Sequence, residues 1–254
     1  MAYLQGVYPI VKKEILARHI IDLTVSAPEM AAMAQPGQFA HLKVEGLFLR
    51  RPISICEIDR DQGTLRFVFE IKGEGTRILG EKRIGDNLDV MGPLGHGFAQ
   101  PEGEIIVVGG GIGVPPMLET AKAYGQKATA IVGFRSANAV ILTEDFQRQG
   151  NQVVLCTDDG TMGFHGFVTQ ALEQQLQAKK PALICACGPH PMLKGVAGLA
   201  QQYGVDCQVS LEERMGCGVG ACLVCACRTV KDGQEYLSHV CKDGPVFDFK
   251  DVLF

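Results

Sequence analysis

Glu104-Ile105-Ile106-Val107-Val108-Gly109-Gly110-Gly111-Ile112-Gly113-Val114-Pro115-Pro116 decides the fold. Glu104–Val108 is a short apolar run of the kind a fully buried strand uses. A glycine run ends it, and Pro115 opens a segment of helical spacing to Tyr124, since proline suits the first helical turn. The same rhythm continues C-terminally. Lys127–Val132, Gln152–Cys156, Ala182–Ala186 and Cys207–Leu211 are strand candidates, and Gly166–Gln177 and His190–Tyr203 read as amphipathic helices. Strands alternating with helices imply a parallel sheet with right-handed crossovers. Toward the N-terminus the pattern differs. Ile20–Val25, Gln38–Val44, Ile53–Ile58, Thr64–Ile71 and Asn87–Met91 are rich in Val, Ile, Leu and Phe, and each is bounded by Gly, Pro, Asp or Asn. Such spacing suggests an antiparallel barrel or sandwich, with Gly75–Arg83 its one plausible helix. From Glu212 the rhythm stops at MGCGVGACLVCACRT, and Cys241–Phe254 reads as a short irregular tail. The chain therefore divides into residues 1–100, 101–211 and 212–254.

Composition bounds the function. The chain has 254 residues with 46% hydrophobic and 20% charged side chains, so a sizeable core is available without covalent staples. A net charge of −4 and the lack of a Lys/Arg block argue against nucleic acid or an anionic membrane as the main partner. The opening MAYLQGVYPIVKKEILARH has no long apolar core, and no stretch of about 18 uncharged apolar residues follows. Those features predict no secretory signal, no membrane span and a cytoplasmic protein whose thiols stay reduced. Five of its ten cysteines fall between Cys217 and Cys241, which points to metal ligands. Cys56, Cys156 and Cys207 sit in apolar runs and are expected to be buried small hydrophobes.

The clustered cysteines are spaced Cys217-x4-Cys222-x2-Cys225, with Cys241 arriving from a separate segment. That is the plant-type [2Fe–2S] spacing. One loop must wrap two irons with three thiolates, and Gly216, Gly218 and Gly220 let backbone N–H groups approach the sulfurs. A zinc site built on Cys222 and Cys225 with later ligands, His239 among them, competes with this. Cys227 would share a face with Cys225 in a hairpin leaving the loop, but Cys225 is the residue that completes the spacing.

The glycine run, with Gly110, Gly111 and Gly113, would let backbone approach a pyrophosphate at a helix N-terminus. It departs from G-x-G-x-x-G because Val114 replaces the third glycine counted from Gly109, and an ordinary tight turn uses the same residues. Phe134-Arg135-Ser136 stands where a ribose-binding acid is usual, so NAD and NADP both remain open. Cys187-Gly188-Pro189 marks a second strand end, either a ligand-facing turn or a plain strand-to-helix turn. In the first segment Arg50-Arg51-Pro52-Ile53-Ser54 offers cations and a hydroxyl, and Gly73-Glu74-Gly75-Thr76 offers a helix N-terminus for an anion. Surface charge and a capping threonine would give the same pattern.

In order and spacing, RPISI, GEGT, GGGIGVPP and CGP resemble the ferredoxin reductase superfamily over residues 1 to about 210. With the cysteine module, the whole chain is similar to the electron-transfer subunits of NAD-linked, heteromeric dihydroorotate dehydrogenases. Glu213–Cys222 and Val240–Phe247 are the most specific parts of the match. The resemblance implies an N-terminal flavin-binding barrel, a nucleotide-binding α/β domain and a C-terminal [2Fe–2S] module. It implies FAD at Arg51, Pro52, Ile53 and Ser54, at Val68, Phe69 and Glu70, and at Gly75 and Thr76. Glu70 stands where the family often has an arginine, so backbone contacts should carry that part of the site. It also implies NAD near Gly110, Gly111, Gly113, Cys187, Gly188 and Pro189, and the cluster at Cys217, Cys222, Cys225 and Cys241.

Electrons would then pass from dihydroorotate, oxidised in an FMN-containing catalytic subunit, through the cluster and FAD to NAD⁺ in pyrimidine biosynthesis. The cofactors carry that chemistry, so no catalytic side chain is named. The assembly implied is a heterotetramer, with the apolar tail residues Val246, Phe247, Phe249 and Phe254 as a candidate contact. The alternatives are a related subunit serving a hydrogenase or a ferredoxin–NADP oxidoreductase, and a redox-sensing or zinc-binding module without enzymatic activity.

Overall fold

The computed structural model describes residues 3–254. Strands β1 (Leu4–Ala17), β2 (Ile20–Ser26), β3 (Phe39–Leu42), β4 (Arg51–Asp59), β5 (Thr64–Glu70) and β6 (Asn87–Leu94) form a closed antiparallel barrel in the order β1-β2-β5-β4-β3-β6. Helices α1 (Pro28–Met33) and α2 (Glu74–Glu81) lie in its connections. Alternation sets the inside: Leu23, Val25, Ala40, Leu42, Ile55, Leu65, Phe67, Phe69, Leu88 and Val90 are buried together. The intervening residues face outward, and two outward rows are themselves buried by the rest of the chain. Cys56 and Val68 pack into one core of the second domain, and Phe39, Met91 and Leu94 pack into the other.

That second domain runs β7 (Ile105–Gly110), α3 (Pro115–Lys122), β8 (Ala128–Phe134), α4 (Thr143–Arg148), β9 (Gln152–Thr157), β10 (Phe164–His165), α5 (Val168–Ala178), β11 (Leu183–Cys187), α6 (His190–Tyr203) and β12 (Cys207–Ser210). These strands are parallel, in the order β10-β9-β8-β7-β11-β12. Every residue of β7 is buried, as a strand covered on both faces requires. Ile106, Val108 and Ile131 meet α5 and α6 on one face, and Val107, Ala130 and Val132 meet α3 and α4 on the other. Cys56, Cys156, Cys185 and Cys207 are buried, as their apolar runs imply. Among the described residues, no helix is long and apolar enough to cross a membrane.

Past β12 the chain forms the cysteine loop, a hairpin of β13 (Ala226–Lys231) and β14 (Gln234–His239), and β15 (Val246–Asp248). The tail expected to be irregular instead adds β15 antiparallel to β12, closing that edge of the sheet. This corrects the expected role of its apolar residues. Val246, Phe247 and Phe249 are buried within the chain and are not free to meet a partner, because an unpaired sheet edge beside an apolar core is covered first by the nearest chain. Phe254 lies edge-on to the His190 ring, 6.0 Å between centroids.

Candidate functional site

Arg50 and Arg51 have different fates. Arg50 Nη2 donates to both carboxylate oxygens of Asp89, at 2.9 and 3.0 Å, and Nη1 donates to the His41 carbonyl, which fixes the mouth of the barrel. Among the described residues, Arg51 bonds only backbone carbonyls, those of Leu49 and Arg50, and no carboxylate pairs with its charge. Its guanidinium lies against Gly75 at the start of α2, where any Cβ would run into it. Thr76 caps that helix: its hydroxyl accepts the N–H groups of Lys72 and Gly73 at 3.0 and 3.2 Å. A cation and a helix N-terminus therefore converge, which suits a pyrophosphate.

The pairing of β4 with β5 ends at Ile55↔Phe67. Arg51–Ser54 pair only with β3 and Val68–Glu70 only with β2, so the two segments face each other with free backbone edges. A flat ring could be held there by backbone groups. The side chains of Val68 and Phe69 are buried in the two cores. Glu70 turns to Lys72, 3.5 Å away, so its charge is partly balanced outside the cleft.

The glycine run and the Cys187-Gly188-Pro189 turn, far apart in sequence, touch. β7 and β11 are adjacent parallel strands with Gly109 opposite Cys187. A Cβ on Gly113 would lie 2.7 Å from the Gly188 Cα, so only glycine lets the turns approach. From β7 the chain winds to β8 and β9 on one side and later to β11 and β12 on the other. The two turns thus stand at the topological switch point, where open α/β sheets bind ligands. Burial pushes the Cys187 thiol up to about 12 against a hydrogen bond with Ser210, so it is a neutral group there.

The cysteine loop turns its backbone N–H groups inward. Cys217 Sγ accepts from Val219, Ala221 and Cys222 at 3.4, 3.2 and 3.4 Å. Cys222 Sγ accepts from Cys217 at 3.3 Å, Cys241 Sγ from Gly220 at 3.1 Å and Cys225 Sγ from Cys241 at 3.4 Å. Among the described residues, Cys227 takes no N–H from another residue and instead packs against the core. Burial raises the Cys217 thiol, but the surrounding N–H groups outweigh it and bring it down to about 7. Cys241 moves the other way, up to about 12, through burial and the neighbouring Cys225. Four sulfurs so close resist becoming anions together unless a cation joins them. The donor set fits an anionic iron–sulfur group. His239, the candidate zinc ligand, faces Asp243 at 3.6 Å.

The three sites share a seam. Cys225 and Cys241 pack in one core with Phe39 and Met91 of the barrel and with Phe247. The His96 N–H donates to the Gly244 carbonyl at 2.6 Å, and the Leu211 N–H to the Pro245 carbonyl at 2.9 Å, tying the tail to both domains. Directly under the loop lies His41, which sequence reasoning passed over because it sits inside an apolar strand run with nothing polar beside it. Burial, then the Arg50 guanidinium, push its pKa down to about 4 against the Cys217 backbone, so the ring is neutral.

Residues 212–253 match the family described as the iron–sulfur cluster binding domain of dihydroorotate dehydrogenase B. The dihydroorotate dehydrogenase B (NAD(+)) electron transfer subunit of Geobacillus thermodenitrificans is 42% identical over 255 residues, covering 96% of each chain. That of Shouchella clausii is 40% identical over 260 residues, covering 98% of each. Among solved structures, an NADH-dependent reduced ferredoxin–NADP oxidoreductase superposes with a TM-score of 0.86 at 30% identity, over 97% of this chain and 90% of that one. The ferredoxin reductase of carbazole 1,9a-dioxygenase shares the fold at 21% identity, with a TM-score of 0.68 over 81% of this chain and 67% of its own. The module that sets this chain apart from a plain flavin reductase is thus matched by family, and the full length by close relatives: the chain belongs to the family of electron-transfer subunits of NAD-dependent dihydroorotate dehydrogenase B.

Proposed function

We propose that the protein carries electrons from a dihydroorotate-oxidising partner subunit to NAD⁺, using a [2Fe–2S] cluster and FAD. The observation that carries this reading is the shared seam: the cysteine loop packs in one core with Phe39, which pairs with Ser54 of the barrel cleft, and Val68 of the cleft packs in the other core with Val114 and Cys187 of the switch point. Bound FAD and cluster supply the two-electron and one-electron chemistry that the side chains lack. The chain's own residues bind and orient. Arg51 and the α2 N-terminus at Gly75 and Thr76 neutralise the flavin pyrophosphate. Pro52, Ile53 and Ser54 line the ring cleft, and Val68, Phe69 and Glu70 offer it backbone. Gly110, Gly111 and Gly113 with Cys187, Gly188 and Pro189 seat the dinucleotide, and the neutral Cys187 thiol leaves no anion there. Cys217, Cys222, Cys225 and Cys241 hold the cluster, supported by their six N–H contacts. The barrel, sheet and cluster module divide near residues 100 and 211, with β15 returning to the sheet.

The partner is an FMN-containing catalytic subunit in a cytoplasmic heterotetramer. It docks over the cluster loop, where Cys222 and its apolar neighbours Leu223 and Val224 are exposed. Cys222→Ser in the complex should abolish dihydroorotate-linked NAD⁺ reduction while NADH-to-ferricyanide activity persists. Survival of both activities would overturn the relay. The structural likeness to the ferredoxin–NADP oxidoreductase supports a second reading, service to another partner. Co-purification with a dihydroorotate-oxidising flavoprotein decides between them.

A further inference from the structure

His41 is buried completely at the centre of β3, and neither ring nitrogen has a hydrogen-bonding partner among the described residues. A buried polar atom left unpaired costs about 1–3 kcal/mol, and native folds leave few of them. Two on one ring ask for an explanation. The ring belongs to the barrel's outward row, with Met91 opposite it on one side and Pro52 on the other. The next outward pair is Phe39 opposite Ser54. The ring therefore lies beside the strand that lines the flavin cleft.

Its other side meets the cysteine loop. A Cβ on Gly218 would stand 2.7 Å from His41 Nδ1, and Gly218 has a φ of +76°. Both the space and the backbone conformation there suit glycine alone. Gly218 separates Cys217 from Val219, whose N–H bonds the Cys217 sulfur. The cations near the ring, Arg50 and Arg51, are donors and cannot accept from it. A neutral imidazole has one N–H to give, and the cysteine loop offers it the Cys217 backbone, which falls short of a hydrogen bond, and the sulfurs that the same loop carries.

We propose that His41 is a tuning residue of the iron–sulfur centre: its ring N–H donates to a cluster sulfur on the Cys217 side, pinning the loop to the barrel and raising the cluster's reduction potential. A donor to sulfur stabilises the more negative, reduced state, and such contacts set cluster potentials. The inference rests on the reading that Cys217, Cys222, Cys225 and Cys241 hold a [2Fe–2S] group.

The test is an anaerobic redox titration of the full protein with FAD and cluster, followed by electron paramagnetic resonance. In His41→Phe the reduced-cluster signal should appear at lower potential, by about tenfold in the reduction equilibrium, or ~59 mV for one electron. His41→Gln, which keeps a donor, should stay close to the native value, and the FAD potential should not move in either. In native protein labelled with ¹⁵N only at histidine, pulsed resonance should show nitrogen coupling to the reduced cluster, lost in His41→Gln. An unchanged potential in His41→Phe, equal shifts in both variants, a shift confined to FAD, or coupling that persists in His41→Gln overturns the inference. If neither variant folds, the labelled native protein decides alone, and a normal cluster without coupling overturns it. A native protein without any [2Fe–2S] signal overturns the cluster reading and this inference with it.

Discussion

Arg50 and Arg51 are chemically identical neighbours with opposite assignments, and the difference can be measured. Arg50 is locked to Asp89 with both partners mostly buried, so Arg50→Ala leaves that carboxylate only the exposed Lys43, 3.9 Å away. It should lower the urea midpoint while FAD affinity changes little. Arg51 has no carboxylate partner among the described residues, so Arg51→Ala should spare stability and weaken FAD binding by roughly 1.5–3 kcal/mol, the worth of a charge-assisted hydrogen bond. Fluorescence titration of apoprotein with FAD reads the second effect, and chemical denaturation reads the first. An equal loss of affinity in both variants would remove the distinction. The sequence offered two adjacent cations and named Arg51 for the phosphate, but the fate of Arg50 was not legible, because Asp89 is remote in sequence and meets it only through the barrel.

At the scale of elements, β15 shows how little chain can matter. It has three residues, yet it completes the sheet and carries Phe247 into the core shared by barrel, sheet and cysteine loop. Phe247→Ala should cost about 3 kcal/mol or more, as truncating a buried aromatic does. It should also lower the iron and sulfide content, since Cys225 and Cys241 pack in the same core. Denaturation and metal analysis of one preparation check both. Such a strand was not legible, because three residues at a sheet edge give no periodic signal. β1 was missed for a different reason. Over its fourteen residues only Ile10 is fully buried, and Lys12, Lys13 and Glu14 interrupt any apolar alternation. The parallel strands were legible because burial on both faces demands continuous apolar runs. The cysteine ligands were proposed from spacing alone. The meeting of Gly113 with Gly188 depended on strand order, which no single segment encodes.

Across the whole molecule, barrel and sheet are joined by charge as well as by apolar packing. The Ile58 N–H donates to Glu119 Oε2 at 2.9 Å, from β4 to α3. Arg66 bonds Asp22 and Glu57 of the barrel and Asp145 of α4 at 2.8, 3.2 and 2.7 Å. Burial disfavours the Arg66 charge, but Asp22 and Asp145 outweigh it and hold it protonated. Arg66→Met would strand Asp22, which is 1% exposed, and should destabilise the fold by about 3–5 kcal/mol. Faster limited proteolysis between the domains would accompany the lower midpoint. Alkali tests the molecule differently. Burial raises Cys187 and Cys207 to about 12 and Cys156 to about 11, above their usual 9.0. With folded values above unfolded ones, their contribution is complete below pH 9 and is lost as the pH climbs through 11 to 12. Urea midpoints should be level from pH 7 to 9 and fall beyond, less steeply in Cys207→Val.

The return of the last strand to the sheet also imposes an order on assembly. Three of the four cysteines lie on one loop, and the fourth, Cys241, lies on the segment that β15 ties to β12. The iron seat therefore stays in two halves until that pairing has formed, so assembly runs from sheet to iron and not the reverse. A chain cut between β14 and β15 would keep its barrel and parallel strands and fail to acquire its iron.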